Sequence, residues 1–261
     1  MKDTTENTLA AVEKAFNIIT TIQKIGPVQV TELAEYLGIP DSTAQVHLNT
    51  LKTQGYVRKE GGKYDLSLKF LDHGGYVRRR QRVYRAAKQH INSLAEEVGE
   101  AANLGVEENG QRVLVYKSEV PEGAIYDNAP TGERTHLHWT ALGKALLSEL
   151  PSKRVHEIID EYGLPSKTEH TITDREALIE ELEVTRERGY SIEDEDRRKG
   201  ITAIGVPIMG ENSNKPVGAV CVSGPRSRLW NDGIEPELVE AVQNTVNVIE
   251  LQYNYYLPTE S

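Results

Sequence analysis

One cysteine, Cys221, stands in 261 residues. A lone thiol excludes an internal disulfide and any metal site built from clustered thiolates. No apolar run approaches the roughly 18 residues needed to span a bilayer. The opening stretch, Met1 to Thr8, is polar and carries both signs of charge, unlike the apolar centre of a secretory signal. Internal repeats and low-complexity tracts are missing. Gly143-Lys144 lacks the upstream glycine of a phosphate-binding loop. His136 and His138 sit two apart, but no third ligand is near in sequence, and a metal site needs three or four. Cys221 has no nucleophile motif around it, and nothing in the sequence brings a histidine to it, so a thiol-dependent enzyme is the weaker alternative. These absences predict a cytoplasmic protein with no membrane segment, no catalytic residues, no metal and no cofactor.

What is there reads as an ordinary folded chain, 38% apolar and 27% charged, long enough for two domains. The net charge of −10 argues by itself against a polyanionic partner, but the charge is divided unevenly. Residues 1–90 hold 14 Lys and Arg against 9 Asp and Glu, whereas residues 91–261 hold 16 against 31. Such a split suggests a part that faces nucleic acid joined to a part with another task. An acidic surface suited to a high-salt cytoplasm is the alternative source of the surplus.

Leu9, Val12, Ala15, Phe16, Ile19 and Ile22 recur at spacings of three and four and predict one apolar helix face, stopped by Gly26-Pro27. A shorter helix is predicted from Thr31 as N-cap to Gly38, with Leu33, Ala34 and Leu37 inward. Ile39-Pro40-Asp41 then turns tightly into a third helix, where Ser42 and Gln45 have capping-box spacing and Ala44, Leu48 and Leu51 point inward. Two β-prone pieces, 56–60 and 63–68, flank Gly61-Gly62 as a hairpin. Helix, helix, tight turn, helix and hairpin is the order of a winged helix-turn-helix. A three-helix protein-interaction module without DNA contact is the alternative.

Residues 69–98 predict a linker helix whose early part carries Arg78, Arg79, Arg80, Arg82, Arg85 and Lys88, with Gly74-Gly75 expected to weaken it. Beyond Gly99, 102–106 and 112–117 predict a hairpin around Glu108-Asn109-Gly110. Helices are predicted at 140–150, at 152–162, from a Thr173/Glu176 capping box to Gly189, and at 235–255. Strands are predicted at 190–193, 202–209 and 216–223. The fold class is therefore α+β: a winged helix-turn-helix over 1–68, a linker helix over 69–98, and a domain over 99–261 with a largely antiparallel sheet.

Several segments carry a family resemblance. Thr31-Glu-Leu-Ala-Glu-Tyr-Leu-Gly-Ile-Pro-Asp-Ser-Thr-Ala, with Leu48 and Thr50-Leu51, resembles the reading head of the IclR family of regulators. Gly99-Glu-Ala-Ala-Asn-Leu resembles the start of its effector domain, and His138-Trp-Thr-Ala-Leu-Gly-Lys-Ala-Leu-Leu its His-x-(Ser/Thr)-x-x-Gly-Lys-Ala motif. Arg188-Gly-Tyr-Ser-Ile-Glu-Asp-Glu-Asp and Val222-Ser-Gly-Pro-Arg-Ser-Arg-Leu resemble its last two signatures. The resemblance implies a transcriptional regulator that binds a double-stranded DNA operator as a homodimer or tetramer. It also implies a GAF-like effector domain for a small organic acid, aromatic acid or sugar-derived metabolite.

For DNA, the outward residues at the start of the third helix are Ser42, Thr43, Gln45, Val46 and Asn49, with His47 ambiguous. Gln45 and Asn49 each suit bidentate bonding to adenine, and Val46 or the Thr43 methyl suits a thymine methyl. The family commonly has Arg where this chain has Val46, so an A·T-biased reader is expected. Arg58, Lys59 and Lys63 in the wing are expected on phosphates. For the effector, the amides of Ala141 and Leu142 at a helix start suit an anion. The resemblance adds Glu193, Ala203, Cys221 and Ser223 across the pocket, and Asp127 on a covering loop. Trp139 is either a pocket wall or core.

Overall fold

The computed structural model describes residues 8–118, 129–211, 213–231 and 233–256. They form two compact units, divided between Val77 and Arg78.

In the first unit, α1 (Ala10–Ile25), α2 (Val30–Leu37) and α3 (Asp41–Thr53) precede the hairpin of β1 (Val57–Glu60) and β2 (Lys63–Leu66). Ile18, Ile22, Val28, Leu33, Leu48, Leu51, Val57 and Tyr64 form its core. The predicted apolar face of α1 is buried only toward its C-terminal end. Leu9, Val12 and Phe16 are 73%, 48% and 62% exposed, because the first turns of α1 run past the small core that Ile18 and Ile22 enter. The caps also differ from expectation. Gln29, not Thr31, caps α2, its N–H donating to Glu32 Oε2 at 2.9 Å. α3 starts after Pro40 with no side-chain cap, so Ser42 and Gln45 make no capping box.

The predicted linker helix is two helices, α4 (Lys69–Arg80) and α5 (Arg82–Val98). The break falls at Gln81, which is extended (ψ 111°), rather than at Gly74-Gly75, which α4 tolerates. The first turns of α4 belong to the head: Lys69 Nζ donates to the Gln54 carbonyl, and the His73 ring stacks on Tyr56.

The second unit is an α+β sandwich. Its strands are β3 (Ala101–Glu108), β4 (Gln111–Lys117), β5 (Arg134–His136), β6 (Ser191–Asp194), β7 (Ile201–Met209) and β8 (Pro216–Pro225). They form one antiparallel sheet in the order β5-β4-β3-β8-β7-β6. Both faces are covered. Ala102, Leu104, Ile204, Val206, Val220 and Val222 pack against α5 and α10 (Pro236–Leu251). Alternate residues face the other way, toward α6 (Ala141–Ser148), α7 (Ser152–Tyr162) and α8 (Arg175–Arg188). A short α9 (Arg226–Leu229) follows β8. Asp174 caps α8 by accepting from the Ala177 N–H, in place of the expected Thr173.

Two glycines permit the close seating of α6, Gly143 against the Leu137 turn that precedes it and Gly205 where the sheet meets Ala141. A Cβ on Gly143 would lie 1.9 Å from the Leu137 carbonyl oxygen, and one on Gly205 would lie 2.6 Å from that of Ala141. No helix among the described residues is long and apolar enough to cross a membrane.

Candidate functional site

In the head, α3 presents the predicted reading residues along its outer face. Ser42, Val46 and Asn49 are exposed, and Thr43, Gln45 and His47 are half-buried. Gln45 and Asn49 do not stand apart as two independent readers. The Gln45 side-chain amide lies 2.8 Å from Asn49 Oδ1 and 2.9 Å from the Tyr64 hydroxyl. Spacing by four puts the two amides one turn apart, and the hydrogen bond between them consumes one group on each. The edge left over carries one donor and one acceptor in either flip of the amides.

Tyr64 was not among the sequence-predicted site residues. Its ring is buried, and Val28 and Tyr64 exchange backbone hydrogen bonds at 3.0 and 2.8 Å. The wing strand thereby fixes a side chain of the reading helix. In the wing, Arg58 pairs across the hairpin with Asp65 at 2.9 Å, Lys59 Nζ lies 4.8 Å from the Tyr64 ring centre, and Lys63 is exposed. The Gln45 hydrogen bond and the ammonium over the ring both hold the Tyr64 phenol below its ordinary pKa.

In the second unit, Leu142, Glu193, Ala203, Cys221 and Ser223 line one pocket with an empty volume of about 660 Å³, mouth included. The register explains the convergence. Glu193 lies opposite Ala203, Ala203 opposite Ser223, and Cys221 opposite Asn103, so these side chains share the α6 face. Asn103 Nδ2 donates to Ser223 Oγ at 3.2 Å. Asp127 lies outside the described residues. Ala141 does not line the pocket itself; its N–H donates to Glu193 Oε2 at 3.2 Å.

That bond takes up the Ala141 amide, one of the two expected to hold an anion at the start of α6. The chain's own carboxylate occupies the Ala141 amide, and the Gly143 N–H goes to Thr140 Oγ1 at 3.0 Å. Burial of Glu193 raises its pKa to about 7, and the charge of Asp196 adds to the rise, while the Ala141 hydrogen bond, Lys144 and Arg197 oppose it. Ser191 Oγ donates to the Ala141 carbonyl at 2.6 Å, so β6 grips α6 at both backbone groups of one residue.

The loop between β6 and β7 brings Arg197 and Arg198 to the pocket wall. It is anchored from below by Lys144 and Asp196, a buried ion pair at 2.7 Å, and by Thr171 Oγ1, which donates to the Asp196 carbonyl. Burial lifts the Asp196 carboxyl above its ordinary range, against the pull of Lys144. Sequence reasoning also missed Arg112, a pocket residue only 2% exposed. Nothing in its local pattern separates it from a solvated strand arginine.

His136 and His138 belong to an aromatic group with Trp139 and Tyr162, away from Cys221. Trp139 Nε1 donates to the Pro165 carbonyl at 2.7 Å, and the ring is absent from the pocket lining. Burial lowers the His138 pKa to about 4, leaving it neutral beside the Pro165 carbonyl. Among the described residues no group of three or more His, Cys, Asp or Glu could hold a metal ion.

Comparison with known proteins bears on the whole chain. Residues 11–61 match the model of the IclR helix-turn-helix domain, and residues 76–251 match that of the bacterial transcriptional regulator IclR C-terminal domain. A probable HTH-type transcriptional regulator, ArcR of Halobacterium salinarum, is 30% identical over 94% of each chain. The crystal structure of Thermotoga maritima IclR superposes with a TM-score of 0.78 at 30% identity, covering 94% of this chain and 98% of that one. An IclR homologue of Microbacterium hydrocarbonoxydans, crystallised with 4-hydroxybenzoate, shares the fold with a TM-score of 0.79 at 20% identity, over 94% and 99% of the chains. This chain belongs to the IclR family of transcriptional regulators and, like its relatives, is a regulator rather than an enzyme.

Proposed function

We propose that this regulator is a cytoplasmic homodimer whose affinity for an operator is set by a small molecule held between α6 and the sheet. The observation that carries the reading is the convergence of Leu142, Glu193, Ala203, Cys221 and Ser223, drawn from four separate elements, on one pocket. The wall mixes apolar side chains with polar and charged ones, Asn103, Arg112, Glu193 and Ser223 among them, and such directed polar groups are what fix a small molecule in its site. The solved homologue that carries 4-hydroxybenzoate supports the same reading.

The joint Gln45–Asn49 edge reads sequence. One donor beside one acceptor complements the N6 and N7 edge of adenine, whereas guanine offers two acceptors there. Ser42, Thr43, Val46 and His47 flank that edge, Val46 offering a methyl surface to thymine. Lys59 and Lys63 hold phosphate, and Arg58 does so while paired to Asp65. The exposed apolar side chains of α1 and α4, among them Leu9, Phe16 and Leu71, suit a contact between two copies. The effector acts through a difference in its affinity for two arrangements of the paired heads.

The test is fluorescence anisotropy with duplex from upstream of the protein's own gene, against an unrelated duplex at the same salt. Tight, selective binding that one compound of an acid and sugar panel shifts is the expected result. Equal, weak binding to both duplexes would sink the reading of the head. Selective binding that no compound moves would sink the sensor.

A further inference from the structure

Between His73 and Ala95 the chain has six Lys and Arg and not one Asp or Glu, in a protein whose net charge is −10. Arg78, Arg79 and Arg80 stand in the last turn of α4, and Arg82, Arg85 and Lys88 follow at intervals of three along α5. Val83, Ala87, Ile91 and Leu94 mark the buried side of α5, so its three cations lie along the outer side. The π-helical turn Gln252–Tyr256, which packs beside α5, brings Tyr253 and no acid.

Two of the guanidiniums are held in place. Arg78 lies over the Tyr84 ring, 5.1 Å from its centre, and Arg82 over that of Tyr253 at 4.6 Å. A guanidinium stacked by its face keeps its N–H edge for an anion and has less side-chain freedom to lose. Arg79 and Lys88 are exposed and pair with no carboxylate among the described residues. The first turn of α5 has neither an acidic side chain nor a side-chain cap. Cations at a helix start are unfavourable by themselves, and an anion beside them offsets the cost.

The partner must be an extended anion, because the band runs through the end of α4 and two turns of α5. A single carboxylate matches one guanidinium, whereas a duplex carries a phosphate charge per roughly 1.7 Å of its axis. The head binds such a duplex, and Lys69, at the start of α4, is bonded to the head at Gln54. A rise of 1.5 Å per residue puts Arg80 about 16 Å along α4 from Lys69, less than the roughly 34 Å of one duplex turn.

We propose that this band is a second DNA contact, in which the six cations hold phosphates beyond the stretch read by α3. It contributes affinity and salt dependence but no base discrimination. The inference rests on the chain being a DNA-binding regulator, and on neither the bases that α3 reads nor the pocket.

The experiment is fluorescence anisotropy of the full chain on the upstream and the unrelated duplex, repeated over a range of KCl. Log affinity falls linearly with log salt, and the slope counts the phosphates neutralised. Arg79→Gln with Lys88→Gln is expected to lower that slope by roughly 0.9 for each charge removed from each bound chain. Both duplexes should weaken alike, with the ratio between them unchanged. Lys63→Gln in the wing is the yardstick, with half that drop. Arg79→Lys with Lys88→Arg keeps the charge and should keep the slope. Sedimentation velocity and circular dichroism check assembly and fold. An unchanged slope in the double Gln variant would overturn the proposal. So would a drop that comes with a change of assembly, which would assign the band to the acidic surface of a second copy. Equal binding to both duplexes with the expected drop upholds the band and sinks the reading of α3. Selective binding with no drop does the reverse, and a parent that binds neither duplex overturns both.

Discussion

The two units treat polar side chains in opposite ways. Among its described residues the head buries one polar side chain, Thr21, and leaves its reading groups at or near the surface. The second unit buries Glu100, Asn103, Arg112, His138, Lys144, Glu193 and Asp196, with several hydroxyl side chains. Exposed groups are solvated before they meet DNA and cost little to keep. Buried ones have lost their water, so each depends on a partner and responds strongly when that partner changes. A surface reader and a buried sensor therefore fail differently when single residues are changed.

The largest effect is expected where a buried charge loses its partner. Lys144→Ala strands Asp196 beneath the loop that carries Arg197, and should destabilise the chain by about 3–5 kcal/mol. Replacing both, as Lys144→Met with Asp196→Leu, should recover most of that loss in urea denaturation. A single variant as stable as the parent would show that the pair is not buried in solution, and would erase much of the contrast between the units.

Next comes pH. Glu193 has a folded pKa of about 7 against an ordinary value of 4.5, so the native state binds the proton more tightly than the unfolded chain does. Stability from this group is present below pH 4.5 and is lost as pH rises to about 7, on the order of 3 kcal/mol in all. His138, held neutral to about pH 4, acts in the opposite sense, losing stability as pH falls below 6.5. Subtracting the curve of Glu193→Gln from that of the parent cancels the histidine. The difference should move against the parent between pH 5 and 8, and a flat difference would mean that Glu193 is solvated.

The smallest effects are expected in the head, and they appear in selectivity rather than stability. Gln45→Ala with Asn49→Ala should remove about 1–3 kcal/mol of discrimination between operator and unrelated duplex. Tyr64→Phe keeps the buried ring and deletes the hydroxyl that holds Gln45, so it should cost about 1 kcal/mol of the same discrimination. Anisotropy on both duplexes reads both variants. Unchanged discrimination in Tyr64→Phe would show that Tyr64 supports the head only as packing.

The order of elements in the head was readable because each depends on local spacing. Ala44, Leu48 and Leu51 recur at helical intervals, and Gly61-Gly62 marks the turn of the hairpin. The strands around the pocket were readable too, but as a list without an order. Only pairing shows that Glu193, Ala203, Ser223 and Asn103 share a face. The apolar stripe of α1 misled, since periodicity says which side chains lie together and not what covers them. The three-residue β5 is too short to leave a periodic signal.

The sequence by itself determined the element types, the division of charge between the halves and the family, since all three rest on neighbours along the chain. Tertiary structure alone decided how the groups combine. Gln45 joins Tyr64 19 residues away, Lys144 joins Asp196 across 52, and Arg197 joins Glu133 across 64. Such pairs form because buried polar groups must find partners wherever the fold brings one, and no spacing along the chain records that search.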